Sequence, residues 1–289
     1  METNTLSIIK SRMSNMSKGQ RRISEYILGH YEKAAYMTAS KLGEAAGVSE
    51  STVVRFAGEL GFEGYPEFLV ALRESVRSRL TSVQRIEMTD EMIGGGNVLE
   101  RTLAADVARI KATMEANLEH DFNDAIDDIV GARNIYIVGA RASSMLADML
   151  SYNLTLIFDK IRHVDSSSES SVLEQLLRIG PGDVLIAITF PRYSKRIVKA
   201  VAFAKNRGAE IIGITDGHSS PIASSSDRLL FAKSDMASFV DSLVAPLSLI
   251  NAIIVAICRK RKDVLADTFE QLERVWDEYE IYDKDSYNV

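Results

Sequence analysis

Residues 38–60 read TASKLGEAAGVSESTVVRFAGEL, two short amphipathic helices joined at Gly47-Val48. Leu42, Ala45 and Ala46 form the apolar face of the first, and Val48, Val53, Phe56 and Leu60 that of the second. Small residues let two helices cross closely, and Gly47 suits a turn with an unusual backbone angle. Ser49 is placed to cap the second helix, with Thr52 three residues on. Glu50, Ser51, Thr52 and Arg55 are left on the outside. Short hydroxyls and one forked cation are the groups that reach base edges and phosphates in a major groove. The stretch therefore reads as a helix-turn-helix that offers its second helix to DNA. The plainer alternative is a helical hairpin inside a bundle.

Around it lie further helices. Residues 5–13 and 18–30 read as two, the second capped by Ser17 with Gln20 completing a capping box. Its inner face is Ile23, Tyr26, Ile27 and Tyr31; its start carries Lys18, Arg21 and Arg22. Those cations are either a solvated helix end or phosphate contacts beside the hairpin. GFEGYPEF makes a turn, with Phe62, Tyr65 and Phe68 closing a small core, and a helix follows at about 66–80 with Arg73, Arg77 and Arg79 exposed. Residues 81–97, ending in three glycines, read as a linker. In the helix at about 98–119, Leu99, Leu103, Val107, Ile110, Met114 and Leu118 recur at steps of three and four. That spacing predicts one buried stripe, packed on the next domain or on a partner subunit.

The 289 residues suffice for two cored domains. The net charge of −6 is unevenly spread. Residues 1–85 hold 12 Lys+Arg against 9 Asp+Glu, the remainder 22 against 31. A basic head on an acidic body fits a DNA-binding end joined to a part that does not bind DNA. The head is only mildly basic, so useful affinity calls for a dimer or larger assembly. The one cysteine, Cys258, excludes a disulfide within one chain, favours a cytoplasmic location and reads as a buried small hydrophobe. The N-terminus lacks a signal peptide's apolar core, and the longest apolar run, about 243–258, is too short and interrupted to span a membrane.

From residue 134 the pattern changes. Strands at 134–138, 161–164, 183–189, 210–215 and 228–232 alternate with helices at about 143–158, 169–179, 194–207 and 237–260. The strands are short, β-branched and apolar on both faces, as in a parallel sheet covered by helices, so a doubly wound five-stranded α/β sandwich is expected. A second helix near 121–131 leads into the first strand. A last helix at about 262–281 lines up Leu265, Phe269, Leu272 and Trp276, to cover the sheet domain or dock on a subunit.

In such a sheet, ligands sit at the carboxyl ends of the strands, where loops run into helix N-termini. Three loops qualify. Gly139–Ser144 (GARASS) follows the first strand and offers Gly139 for a tight turn with Ser143 and Ser144 at a helix start. Thr189–Lys195 (TFPRYSK) follows the third strand and brings Thr189, Arg192, Tyr193, Ser194 and Lys195 to the next helix, a set suited to phosphate or carboxylate. Asp165–Ser171 (DSSSESS), which includes Ser166, opens another helix, and its serines cap that helix if nothing more.

The whole chain resembles the RpiR family of bacterial transcriptional regulators. SKGQRRISEYIL and TASKLGEAAGVSESTVVRFAGELGFEGYPEF are close to the wording of that family's head. The resemblance implies an α-helical N-terminal helix-turn-helix domain (1–80), a linker and connecting helix (81–119), an α/β C-terminal SIS (sugar isomerase) domain (120–260) that senses a phosphosugar, and a C-terminal helix (261–289). Carried over by position, Ser143 matches the serine of the family's first loop, and Thr189 and Ser194 match the outer hydroxyls of its S-x-S-G-x-T-like second loop. Asp165 and the serines after it, Ser166 among them, fall in its third. Two departures stand out. Arg141 replaces a glycine in the first loop, and Pro191-Arg192 replaces Ser-Gly in the second. A sugar acid, a polyol phosphate or another carboxylated metabolite thus joins the phosphosugar as a ligand.

The same fold serves isomerases, which need a general base beside the substrate carbon. Glu169, His163 and His218 are better explained as loop polarity or capping, and the four histidines show neither metal spacing nor a catalytic order. Asp241, on the helix at about 237–260 near the sheet edge, reads as a structural or subunit contact rather than a ligand contact. The expectation is a cytoplasmic regulator with no catalytic residue, metal or cofactor and no membrane contact. Ser49, Ser51, Thr52 and Arg55 approach a palindromic double-stranded operator, and Lys18, Arg21, Arg22 and Lys41 hold its phosphates. Gly139, Ser143, Ser144, Ser166, Thr189, Arg192 and Ser194 hold a small anionic, sugar-derived effector, in a homodimer or homotetramer. The competing readings are a sugar-phosphate isomerase and a sugar-phosphate-binding protein without a DNA role.

Overall fold

A computed structural model describes residues 5–77, 80–86 and 96–282. It divides into two compact units, Met1–Ala104 with Asp235–Ser242, and Ala105–Ser234 with Leu243–Val289.

The first unit is helical: α1 Thr5–Arg12, α2 Lys18–Gly29, α3 Tyr31–Ala34, α4 Ala39–Ala46, α5 Glu50–Glu59, α6 Tyr65–Arg77 and α7 (82–86). Ser17 and Gln20 form the expected capping box of α2. Ile23 and Ile27 are fully buried, whereas Tyr26 and Tyr31 pack at the rim. Phe56 and Phe62 both meet Phe68 edge-on, with centroids 5.8 and 5.5 Å away, and close the small core. One assignment changes: Ala45 is exposed and Gly43 takes the buried place beside Leu42. Arg73 is exposed, but it donates to the Ala35 carbonyl at 2.8 Å and lies over the Tyr36 ring. The Arg77 side chain, Arg79 and most of the expected linker lie outside the described residues.

The helix α8, Val98–Ala116, crosses the boundary between the units. The second unit continues with α9 Glu119–Gly131, β1 Ile135–Gly139, α10 Ala142–Thr155, β2 Ile161–Val164, α11 Glu169–Gln175, β3 Val184–Ile188, α12 Lys195–Asn206, β4 Glu210–Thr215, β5 Arg228–Phe231, α13 Val244–Lys260 and α14 Lys262–Glu278. The five strands are parallel in the order β2-β1-β3-β4-β5. β1 and β3 are buried at every residue. Alternate residues feed opposite layers: Ile135 and Ile137 pack with the side chains of α9, α10 and α13, Tyr136 and Val138 with those of α11 and α12. This double coverage is why the strands read as continuous apolar runs.

One expectation fails here. The helix expected from 237 begins at Val244, and Asp241 sits in an isolated antiparallel bridge with Met236, paired to the buried Arg85 at 2.9 Å. Of the expected α14 face, Leu265 is buried, Leu272 and Trp276 are half-buried and Phe269 is exposed. On α8, Leu99, Leu103, Val107, Ile110 and Met114 are exposed within the single chain, as is Leu118 just beyond it, while Asp106, Arg109 and Thr113 are buried.

Candidate DNA-binding and effector sites

The hairpin forms as the sequence requires. Thr38 caps α4, and Gly47 ends it with a left-handed φ of 68°, which a side chain would oppose. Ser49 caps α5: its Oγ accepts from the Thr52 amide at 3.3 Å and lies 2.9 Å from Ser51 Oγ and 2.8 Å from Thr52 Oγ1. Three hydroxyls thus gather at the positive end of α5, where an anion is favoured. Val53, Phe56 and Ala57 anchor the helix, while Glu50, Ser51, Val54 and Arg55 line an open hollow on its outer side.

The expected phosphate contacts separate into two groups. Lys18, Lys41 and Arg55 are exposed, and their side chains have no hydrogen bond or ion pair among the described residues. Arg22 donates to the Gly47 carbonyl at 3.3 Å and so braces the turn, and Arg21 reaches the Met13 carbonyl at 3.5 Å.

The sheet domain assembles its loops at one end. β1 and β3 are neighbours on which the chain turns to opposite sides of the sheet, the place where such folds open a crevice. At Gly139, a Cβ would lie 2.2 Å from the Ser143 carbonyl oxygen, so no side chain fits. Arg141 follows at φ 58° and ψ −127°, and Arg192, in the loop after β3, has φ 65°. These are positions at which the RpiR resemblance places glycine. The loops have kept a glycine backbone with arginine side chains on it, at a cost of about 1 kcal/mol or more each.

Two residues of low exposure meet this crevice. Ser143 is 7% exposed and Thr189 3%, and neither side chain has a hydrogen-bond partner among the described residues. Their hydroxyl oxygens are not sealed in the core, so both are free to donate to an anionic ligand on adjacent loops. Ser194 caps α12 without a side-chain bond and is half-buried. Ser144 has a structural bond, Oγ donating to the Arg141 carbonyl at 2.7 Å. Tyr193 donates to Asp216 Oδ1 at 2.9 Å, which ties the β3 loop to the β4 loop.

The third loop is mostly self-contained. Asp165 accepts from the Ser167 hydroxyl at 2.6 Å and its amide at 3.0 Å, which lowers the carboxyl pKa, and Ser168 caps α11. Two further groups escaped the sequence reading. Arg196 of α12 donates to the Ser166 carbonyl and so ties the second loop to the third. Ser220, 5% exposed in the loop after β4, carries a buried Oγ with no partner. Neither bears a motif signal, because each is placed by the strand order. The expected bystanders are engaged elsewhere: His163 pairs with Asp148 at 2.9 Å, Glu169 with Lys199 at 2.6 Å, and His218 stacks edge-on against Phe231.

A helix-turn-helix unit followed by a parallel-sheet unit is the domain order of a two-domain transcriptional regulator. Comparison with known proteins is specific on both parts. Residues 3–79 match the helix-turn-helix domain of the rpiR family, and residues 128–256 match the SIS domain. The chain belongs to the RpiR family of transcriptional regulators. It is 26% identical to the HTH-type transcriptional regulator HexR of Pseudomonas aeruginosa over 235 residues, 78% of each chain. It is 23% identical to an HTH-type transcriptional regulator of Caldanaerobacter subterraneus, over 94% of this chain and 97% of that protein. Among solved structures, the Vibrio vulnificus NanR protein complexed with ManNAc-6P superposes with a TM-score of 0.59 at 21% identity, covering 96% of this chain and 99% of that one.

Proposed function

We propose that this protein regulates transcription of carbohydrate-metabolism genes by binding a palindromic operator and sensing a phosphosugar or related anionic metabolite. The observation that carries the reading is the outer face of α5, where Ser51 and Arg55 stand clear of a hairpin packed on its other side. On this reading α5 enters the major groove, Ser49, Ser51, Thr52 and Arg55 approach bases, and Lys18, Arg21 and Lys41 meet phosphates. Arg22 acts mainly through the turn it braces. The head takes residues 1–80, the linker and connecting helix 81–119, the sensing domain 120–260 and the last helix 261–289, and the protein works in the cytoplasm. No described helix is long and apolar enough to cross a membrane.

The effector is proposed to sit over Ser143, Thr189 and Ser194 with Gly139 beneath, near Ser166 and Arg192. The ligand named for NanR and the SIS assignment support a phosphosugar. Its binding changes DNA affinity only as far as it binds two arrangements of the heads unequally. The family assignment and the structural engagement of Glu169, His163 and His218 favour regulation over isomerisation.

Two results test the halves separately. Arg55→Ala is expected to weaken binding to a duplex selected from a random library by about tenfold to a hundredfold, since a bidentate base contact contributes about 1–3 kcal/mol. Unchanged fluorescence-anisotropy affinity and unchanged base preference would remove α5 from the groove. In a thermal-shift screen of sugar phosphates, sugar acids and free sugars, a bound ligand raises the melting temperature by mass action. The double substitution Ser143→Ala with Thr189→Ala is expected to weaken the best hit by more than about tenfold, each charge-assisted hydrogen bond contributing about 1.5 kcal/mol or more. An equal shift in both proteins would place the ligand elsewhere.

A further inference from the structure

The outer side of α5 carries one residue that the helix itself does not require. Val54 is 43% exposed, the one large apolar side chain left in water among the described residues of α1 to α5. The head's core takes Val53, Phe56 and Ala57 from this helix and not Val54. A β-branched residue also forms helix less readily than the straight-chain residues common at exposed positions. Its surroundings are polar, since Glu50, Ser51 and Arg55 line the open hollow with it. Glu50 has a local explanation as an acid in the first turn of α5. Ser51 has one too, its Oγ lying 2.9 Å from that of the capping Ser49. No local explanation covers Val54. Glu50, Val54 and Gly58 form one row at steps of four. A Cβ at Gly58 would meet nothing within 4 Å, so the surface one turn beyond Val54 is bare and open.

We propose that Val54 reads the 5-methyl group of a thymine in the operator. The inference rests on the reading that α5 enters the major groove. There the thymine methyl is the apolar group that base edges present, and an apolar side chain is what recognises it. In a helix valine holds one strongly preferred rotamer, so its two methyl groups make a fixed knob. The bare surface at Gly58 lets the helix approach a duplex closely on that row. Arg55 is the next residue, and its fork suits guanine N7 and O6. Neighbouring Cα atoms lie about 3.8 Å apart and stacked bases about 3.4 Å, so the thymine falls within about two base pairs of that guanine.

Deoxyuridine, which lacks the methyl group, tests this with the full chain. The probe is the duplex selected from the random library, with each thymine replaced in turn by deoxyuridine. At one position beside the guanine, wild type is expected to lose about fourfold in affinity for one methyl, and about tenfold or more when both half-sites are changed. Val54→Ala is expected to bind the thymine and uracil duplexes equally at that position. The side chain is exposed, so the variant keeps its fold, which its thermal melt verifies. Arg55→Ala is expected to weaken binding to both duplexes and to keep their ratio. Equal wild-type affinity at every replaced thymine, or a Val54→Ala protein that still discriminates, overturns the proposal and leaves the DNA reading in place. A library that yields no preferred duplex overturns both.

Discussion

Replacing Gly139 by alanine is expected to lower the stability of the sheet domain by about 3 kcal/mol or more and to abolish the effector-induced thermal shift. The added Cβ would lie 2.2 Å from the Ser143 carbonyl oxygen and 2.7 Å from its carbonyl carbon. Both are backbone atoms at the start of α10, so no rotamer change relieves the overlap. The turn must open, and it carries Ser143 with it. In thermal denaturation followed by circular dichroism, the melting temperature should fall by about 10 °C. A fall of about 2 °C or less, with ligand binding kept, would show that the β1–α10 turn yields freely and that its geometry does not set the site.

The second large effect lies at the other end of the sheet. The Asp183 side chain is fully buried just before β3. It accepts from Arg133 Nε at 2.9 Å and Arg133 Nη2 at 2.7 Å, from Asn134 Nδ2 at 2.8 Å and from the Gly180 amide at 2.9 Å. It thereby joins the chain entering β1 to the chain entering β3. Asp183→Ala leaves those donors unmet and is expected to cost about 3 kcal/mol. Burial pushes the carboxyl pKa up, but Arg133, Asn134 and the Gly180 amide together outweigh it, and the net shift is downward. A folded pKa below the unfolded one means that ionised Asp183 stabilises the protein at all pH values above the usual aspartate range. That contribution is lost as pH falls through the depressed folded value. Asp183→Asn should therefore be less stable than wild type at neutral pH and converge on it in strong acid. Parallel stability curves for the two proteins below pH 5 would rule out this ionisation as the source.

Much of the molecule was legible because its determinants are local. The capping box of Ser17 and Gln20, the Gly47 turn and the Ser49 cap each depend on residues within four positions of one another. The strands were legible for a related reason: a sheet buried on both faces leaves runs such as IYIV and VLIAI that no exposed helix would carry. What the sequence did not show depended on contacts distant in the chain. Nothing local signalled that Arg22 would reach the Gly47 carbonyl, 25 residues on. Arg196 and Ser220 carried no signal, because their places follow from strand order alone.

The sequence by itself determined that a helix-turn-helix head precedes a doubly wound sheet domain, since caps, turns and apolar periodicity act within a few residues. The tertiary structure alone decided which way α8 faces. Six regularly spaced apolar residues signal a buried stripe, but Thr113 and Asn117 answer the open backbone of β5, more than 110 residues away. Backbone groups at a covered sheet edge need polar partners, so the helical segment turns Thr113 and Asn117 toward them. The tertiary structure likewise decided that Arg141 and Arg192 stand on left-handed backbone in the loops that carry Ser143 and Thr189, because only strand pairing brings those loops to one end of the sheet.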